Sequence, residues 1–583
     1  VSAVLRVLAT VAGLVLVVAS LPWLRGEDPA VTVLRVRFRQ RGEDPDAVRA
    51  LREQLDLAPD PVTGAARWLA AAARGDLGES WVSGQPVLER AQPAVAASAT
   101  LAGCAIAVAL VLTTLALIGP VVRAARTGTA TRPRLKVAAV TVAALPEVIT
   151  GSLLVVALSV HLGLLPATGW HGWGSVVAPA LALGVPAAGL LTRLLAGVLD
   201  QAVTEQWVTT WRANGVPTAP VARALARRVV GRGASQVAVV WVGMLGTAVA
   251  VEKVFSVPGV GSLAVRSALT QDVPVLQACL LAVVGLGLAG AGAALLLHRL
   301  LLVGATGRDD LGVTADASHG SPRVVVLVTV VLAVLVLGGL PRDGGSSDLA
   351  ARLAPPGVRH PLGADAVGHD LWGRVADATV RTVGLAVLVS VLALAVALLV
   401  GLAARRLRVG AMDVLVTVPS TVVGMVVAAA LGPGLLGACV AVAAVAWIPL
   451  AVHARGLVVE ARGAGHVGAA RRLGLGRARV GVVHLLPGVL GPLAQHALAR
   501  LPLNAVAIAG LSFIGLGADP DAAELGAMLA EGLRYLEVAP WVVLVPGGVL
   551  LLLGVGAGAA GGVQRRARRT TRLRRGAAAS VGG

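Results

Sequence analysis

The sequence has little charge, little aromatic surface and almost no cysteine. Of its 583 residues 14% are charged and 3% aromatic, while 56% are hydrophobic. So small a charged fraction excludes an ordinary soluble enzyme and puts the chain in the membrane class. The three cysteines, Cys104, Cys279 and Cys439, lie far apart inside apolar runs, which excludes a disulfide framework or a thiolate metal cluster and leaves buried apolar thiols. Lysine is nearly absent too. Lys136 and Lys253 follow Leu135 and Glu252, so a Gly-Lys-Ser/Thr phosphate loop occurs nowhere, and nucleotide chemistry by that motif must come from a partner. The ten histidines are scattered singly, no His-Glu-x-x-His helix occurs, and no close Ser, His and Asp arrangement can be pointed to. No catalytic residue and no metal site is therefore read, and the chain is expected to be no enzyme and to bind no cofactor itself.

What is present is apolar length. A hydrocarbon core of about 30 Å needs roughly 20 apolar residues in a helix, and on that rule twelve runs qualify. They cover about 3–24, 97–122, 136–160, 175–199, 235–256 and 276–303, then about 323–340, 381–404, 411–432, 435–454, 488–511 and 541–563. The first reads as an anchor helix that stays in place, not as a cleaved signal, because many spans follow it. The formal charge of +19 would suggest nucleic acid in a soluble protein. Here the arginines fall between apolar runs, so they read as cytoplasmic loops, and no nucleic acid is expected. Arg123, Arg126, Arg132, Arg134 and Lys136 follow the second run, and Arg212, Arg223, Arg227, Arg228 and Arg232 the fourth. Arg405, Arg406 and Arg408, and then Arg462, Arg471, Arg472, Arg477 and Arg479, take the corresponding places later. Both halves thus run in the same orientation. The expected organisation is a first half over 1–305 with a large external loop at 25–95, a cytoplasmic linker at 306–322, a second half over 323–564, and a basic tail at 565–583. The fold class expected is an all-α polytopic membrane protein of about 12 transmembrane helices in two parallel six-helix halves.

One kind of loop occurs twice. Glu205-Gln-Trp-Val-Thr-Thr-Trp-Arg-Ala-Asn-Gly215 lies between the fourth and fifth runs, and His466-Val-Gly-Ala-Ala-Arg-Arg-Leu-Gly474 lies in the second half, with Leu486-Pro487 after it. Each is short, polar, Arg-bearing and closed by a glycine. Small residues such as Ala469 and Ala470 let a helix approach a partner surface, and a terminal glycine permits a left-handed cap. The arginines read either as docking groups or as positive-inside anchors. Polar residues in or beside spans are Glu252, Glu147, Asp413 and His496. Glu252 either has a role in the membrane or forms an interfacial pair with Lys253, and the other three read as helix-end positions. Glycines repeat at Gly554, Gly558 and Gly562 and crowd at Gly285, Gly287, Gly290 and Gly292, a pattern read as close helix packing.

Short stretches along nearly the whole chain carry a resemblance. In the first half they are Leu51-Arg-Glu-Gln-Leu-Asp-Leu57, Arg74-Gly-Asp-Leu-Gly-Glu-Ser80, Ser83-Gly-Gln-Pro-Val87, Leu164-Leu-Pro-Ala167 and Val251-Glu-Lys-Val-Phe-Ser-Val-Pro-Gly-Val-Gly261. In the second they are His360-Pro-Leu-Gly-Ala-Asp365, Gly368-His-Asp370, Leu511-Ser-Phe-Ile-Gly-Leu-Gly517, Gly526-Ala-Met-Leu529 and Ala539-Pro-Trp541. In this order they resemble the two permease subunits of the dipeptide, oligopeptide and nickel family of ABC importers, fused in one chain. The resemblance implies the type I importer permease fold and a bacterial plasma-membrane location. It also implies two ABC ATPase subunits or a fused pair, which carry ATP and Mg, and an extracytoplasmic solute-binding protein, besides the lipid bilayer.

It further implies a role for the repeated loop, since such permeases dock on their ATPases through a Glu-Ala-Ala, three residues, Gly pattern. That pattern falls on Thr209, Thr210, Trp211 and Gly215, with Arg212 inside it, and on Gly468, Ala469, Ala470 and Gly474, with Arg471 and Arg472 inside it and Leu486-Pro487 following. Both copies lack the acid, and the first departs further, so the first is expected to couple more weakly. Glu252 matches a family glutamate, whereas Ile508 stands at the corresponding place in the second half. Two other classes remain open. A secondary transporter or channel should show ion-binding carboxylates at the midplane, and a membrane-embedded enzyme should show clustered acids or histidines at a membrane face. Nothing in the sequence selects the cargo among peptides, nickel and other small solutes.

Overall fold

The computed structural model describes residues 2–23, 29–37, 45–54, 58, 60–302, 322–403, 419–463, 465–476, 479–517 and 523–559. Among these the architecture is helical throughout, with only two isolated bridges, Glu79 to Pro86 and Ala364 to Asp370. In a chain this apolar that outcome is required, because a helix satisfies its own backbone hydrogen bonds inside lipid and an open strand cannot.

Nine helices among the described residues are long and apolar enough to cross a membrane. They are Val87–Thr127, Gly174–Val203, Thr218–Val254, Val273–Ala294, Pro322–Gly339, Leu371–Leu402, Leu435–Arg462, Val480–Ile514 and Trp541–Ala559. The run expected at 136–160 is a pair, Pro133–Ala143 and Glu147–His161, bent by 84°. Pro146 sits at the break as the cap of the second member, and proline cannot supply the amide that would carry the ladder through. Of the run expected at 411–432, residues 411–418 lie outside the described residues, and the described part holds the helix Ser420–Leu431. The first run is an 18-residue helix, Ser2–Ala19. The stretch 25–95, expected as an external loop, holds helices Pro29–Arg37, Pro45–Gln54 and Pro61–Ala72 and the start of Val87–Thr127. The linker 306–322 up to residue 321, the tail 565–583, Gly562, Asp413, Arg405, Arg406, Arg408 and Arg477 lie outside the described residues.

The chain divides into two compact units. One gathers Val1–Ala96, Pro258–Ala282 and Gly373–Glu531, and the other gathers Ala97–Val257, Val283–Trp372 and Gly532–Gly583. Each unit therefore draws on chain from both sides of the linker.

Within the first unit, helix Leu525–Gly532 lies against Leu486–Ile514 so closely that a Cβ at Gly526 would overlap the Ala509 carbonyl. Two of the motif stretches, around Leu511 and around Gly526, meet there. Within the second unit, a Cβ at Gly554 or Gly558 would press on Ala144 or Val140, so these two repeat glycines serve packing. Around the sixth run the outcome is mixed. A Cβ at Gly290 would run into the Trp241 ring, whereas Gly285 and Gly292 have nothing within 4 Å among the described residues.

Candidate functional site

The two loops fold into the same small structure. Gln206–Ala213 and Gly465–Arg472 are helices of 8 residues each. Each ends on a glycine in the left-handed region, Gly215 at φ +73 and Gly474 at φ +78. The residue after each glycine donates its amide back five positions, Val216 to the Trp211 carbonyl at 3.0 Å and Leu475 to the Ala470 carbonyl at 3.2 Å. That bond belongs to a Schellman-type cap, which satisfies carbonyls left open at the helix end. Residue for residue, Val208 corresponds to Val467, Thr210 to Ala469 and Trp211 to Ala470.

Each helix buries one residue completely against its own unit. Val208 packs in a cluster with Leu199, Val221 and Leu225, and Val467 in one with Val480 and Leu485. Among the outward residues are Thr209, Thr210 and Trp211 in the first loop, and Ala469 and Arg472 in the second. The two alanines separate here. Ala470 is only 4% exposed and belongs to the inner cluster, so Ala469 alone of the pair can meet a partner. Gly468 is half-buried, and Arg471 contributes backbone to the helix. Trp211 is 38% exposed and meets Trp207 edge to face at 5.3 Å. Arg212 turns inward, donating from Nη2 to the Arg126 carbonyl at 3.2 Å. Leu486 is half-buried and Pro487 exposed, where the wider helical turns Val480–Leu485 pass into helix Leu486–Ile514.

Among the described residues neither cap glycine has an atom within 4 Å of where a Cβ would sit. Substitution therefore meets only backbone strain. Gly215→Ala and Gly474→Ala should each cost about 1 to 2 kcal/mol, seen as roughly tenfold faster amide exchange at Val216 and Leu475. Markedly unequal effects would show that the two caps are not equivalent.

The first loop has an extra tie. Glu205 receives a hydrogen bond from Trp207 Nε1 at 2.8 Å, an ion pair from Arg228 Nη2 at 3.2 Å and another from Arg232 Nη1. Burial pushes this carboxyl up, but the bonds from Trp207 and Arg228 and the charges of Arg232 and Arg228 outweigh it and hold it below the usual carboxylate range. The folded chain thus holds this proton less tightly than the unfolded chain. The tie's contribution is complete above the ordinary carboxylate value of about 4.3 and disappears as pH falls through the lowered one. Exchange in 206–216, corrected for intrinsic rate, should quicken on acidification in the wild type and not in Glu205→Gln. An equal acid response in both would remove Glu205 as the cause.

Nearby, Asp200 accepts the Thr131 amide at 2.6 Å and pairs with Lys136 Nζ at 2.5 Å. Both side chains of that pair are largely buried, so Lys136, read from sequence as a loop cation, also has a structural role. Inside the same unit, Ser98 donates to Glu252 Oε1 at 2.6 Å. Glu252 is 1% exposed, while Lys253 points outward.

Two further groups of motif residues also assemble. In one, the Asp272 carboxylate accepts the Ser80 hydroxyl at 2.5 Å and the Trp81 amide at 3.0 Å, with Arg90 at 3.7 Å. In the other, Asp370 receives Arg342 Nε at 3.3 Å and lies 3.0 Å from His360 Nδ1. His369 lies 2.9 Å from Asp365, and Trp541 donates to the Ala364 carbonyl at 3.2 Å. The stretches at 360–365, 368–370 and 539–541 thus converge, although a long interval of sequence separates the last from the others.

The histidines are less solitary than the sequence suggests. His453 and His496 stack with centroids 4.7 Å apart, and His466 lies 6.3 Å from His484. His496, expected at a helix end, lies in the interior of Leu486–Ile514. Sequence reasoning also passed over Arg500. It lies inside a run counted as a span, and an arginine there is itself a signal.

Residues 116–303 and 389–569 each match the family described as binding-protein-dependent transport system inner membrane component. The chain is 36% identical over 250 residues to the probable D,D-dipeptide transport system permease protein DdpC of Escherichia coli K12, covering 41% of this chain and 84% of that one. It is 33% identical over 233 residues to a putative peptide transport system permease protein of Brucella suis, covering 38% of this chain and 77% of the relative. It is 30% identical over 248 residues to the nickel transport system permease protein NikC of Escherichia coli K12, covering 40% of this chain and 89% of the relative.

Proposed function

Because the chain belongs to the family of binding-protein-dependent transport system inner membrane components, and is the permease component of an ABC importer with two such domains in one chain, we propose that its two loop helices are the elements through which ATPase subunits drive it. It is a multi-pass membrane protein of the plasma membrane and a transport component, not the ATPase. In this reading two ATPase subunits, or a fused pair, bind ATP and Mg and receive the helices Gln206–Ala213 and Gly465–Arg472. An extracytoplasmic solute-binding protein delivers the solute, which passes between permease halves at 1–305 and 323–564.

The observation that carries the reading is the repetition of one small structure. Two sequences with different residues at corresponding positions, Thr210 against Ala469 and the exposed Trp211 against the buried Ala470, share helix length, inward valine, left-handed glycine and back-bonded amide. Each valine roots its helix in its own unit, so force applied to the outward face is transmitted to spans instead of being absorbed by a slack loop. ATP binding shifts the permease only if docking differs in free energy between its two states. The names of the relatives point to peptides or nickel as the solute class.

Cysteines placed at Thr210 and Ala469 test the assignment in the complete complex. Both should cross-link to an ATPase, with yields that change between nucleotide-free and ATP-bound states. Absence of a cross-link from both positions in every nucleotide state would remove the docking role.

A further inference from the structure

The helix Leu486–Ile514 carries polar groups one turn apart through its middle: His496, Arg500 and Asn504. Residues four apart share a face, and these three extend over about 12 Å at 1.5 Å per residue. His496 and Arg500 flank the midpoint of the 35-residue run Val480–Ile514, the depth at which a charge is most expensive in a bilayer.

Their surroundings are protein. Leu493, Ala497, Asn504 and Ile508, which bracket Arg500 along the helix, are all buried, so Arg500 lies within the inward arc and its side chain is itself only partly exposed. His496 stacks on His453 of helix Leu435–Arg462 at 4.7 Å. Asn504 donates from Nδ2 to Ser390 Oγ of helix Leu371–Ala403 at 2.9 Å. The Arg500 Nε has no hydrogen-bond partner among the described residues. A guanidinium with one buried donor left without an acceptor in such a place is suited to receive one. The corresponding stretch of the first half, Val237 to Val249, contains no charged residue and no histidine. The feature thus occurs once per chain.

We propose that Arg500 and His496, with His453 stacked behind and Asn504 one turn on, form a midplane site that accepts the carboxylate of the solute being transported. The inference rests on the permease reading and adds the charge of the cargo to it. An arginine pairs with a carboxylate through two parallel N–H bonds. Its permanent charge disfavours a bare divalent cation beside the same imidazoles. Asn504 is the anchor that fixes the helix face through its bond to Ser390.

Thiol chemistry tests this without knowledge of the cargo. In full-length protein lacking Cys104, Cys279 and Cys439 and assembled with its ATPases, His496→Cys is treated with a methanethiosulfonate reagent carrying a sulfonate and with one carrying a quaternary ammonium. The anionic reagent should react faster by about tenfold or more, the scale set by one nearby charge at intermediate dielectric. Arg500→Gln should abolish that preference, and Arg500→Lys should restore most of it. Equal rates for the two reagents, a preference for the cation, or a cysteine that is inert with and without ATP would each overturn the site. The permease reading is read separately, from whether ATP changes the reactivity. A charge preference with no response to ATP keeps the site and removes the coupling, and an ATP response with no charge preference does the reverse.

Discussion

Ala469→Arg should lower ATP-driven uptake by about thirtyfold or more while leaving the protein folded. A residue central to a docking surface commonly contributes 2 kcal/mol or more, which corresponds to that factor. Ala469 is suited to the test because it is exposed and has the smallest side chain that still helps a helix form. A long cation there should hold the helix off a close-fitting partner without disturbing its root at Val467. Ala470→Arg is the contrast. It forces a charge into the cluster of Val467, Val480 and Leu485 and should fail by unfolding the loop, visible as fast exchange at Leu475. The first loop supplies the comparison, because Thr210→Arg occupies the position equivalent to Ala469. Its surface departs further from the pattern of the family, and its effect on uptake should be smaller, about threefold to tenfold for a peripheral contact. Equal losses would mean that the two loops grip their ATPases alike. Intact uptake in Ala469→Arg would mean that this face meets no partner.

That experiment could not have been placed correctly from the sequence. The loops themselves were legible, because a polar, glycine-closed segment between two long apolar runs is a strong local signal. So were most spans, whose length is imposed by the bilayer. The direction in which Ala469 and Ala470 face depends instead on how an 8-residue helix rolls onto Val480 and Leu485, and no periodicity in so short a segment decides it. The bend at Pro146 had its signal in the proline itself. Arg212, which the sequence leaves open as a docking group or a positive-inside anchor, reaches the Arg126 carbonyl, a partner 86 residues away that no local pattern reveals. The histidines show the same limit. His453 and His496 stand 43 positions apart and become a pair only when Leu435–Arg462 and Leu486–Ile514 pack. The assignment of segments to the compact units is likewise a matter of long-range packing.

Asp272→Ala should cost about 3 kcal/mol of stability, and Asp272→Asn much less. The carboxylate is 2% exposed and binds the start of helix Val273–Leu302 to the turn at residues 80–81. Alanine would leave the Ser80 hydroxyl and the Trp81 amide without their acceptor, and each unmet group costs about 1 to 3 kcal/mol when buried. Asparagine keeps one oxygen for the Trp81 amide and places an amide donor where Oδ2 accepted from Ser80, so the Ser80 hydroxyl oxygen can accept in its turn. What it loses is the ion pair with Arg90, and that pair is 3.7 Å long with Arg90 30% exposed, so the loss is about 1 kcal/mol or less. The two variants also differ in their response to pH. Burial holds the Asp272 carboxyl above its usual value, against the opposing hydrogen bonds from Ser80 and Trp81 and the charge of Arg90. The folded protein therefore keeps a proton that the unfolded chain has already released, so stability falls as pH rises from the ordinary aspartate value of about 3.9 towards the raised one. Denaturant titrations of the purified protein in detergent across that interval should show the fall in the wild type and not in Asp272→Asn. If Asp272→Asn costs as much as Asp272→Ala, charge and not hydrogen bonding holds the turn to the helix, and the pairing with Arg90 is stronger than its exposure allows.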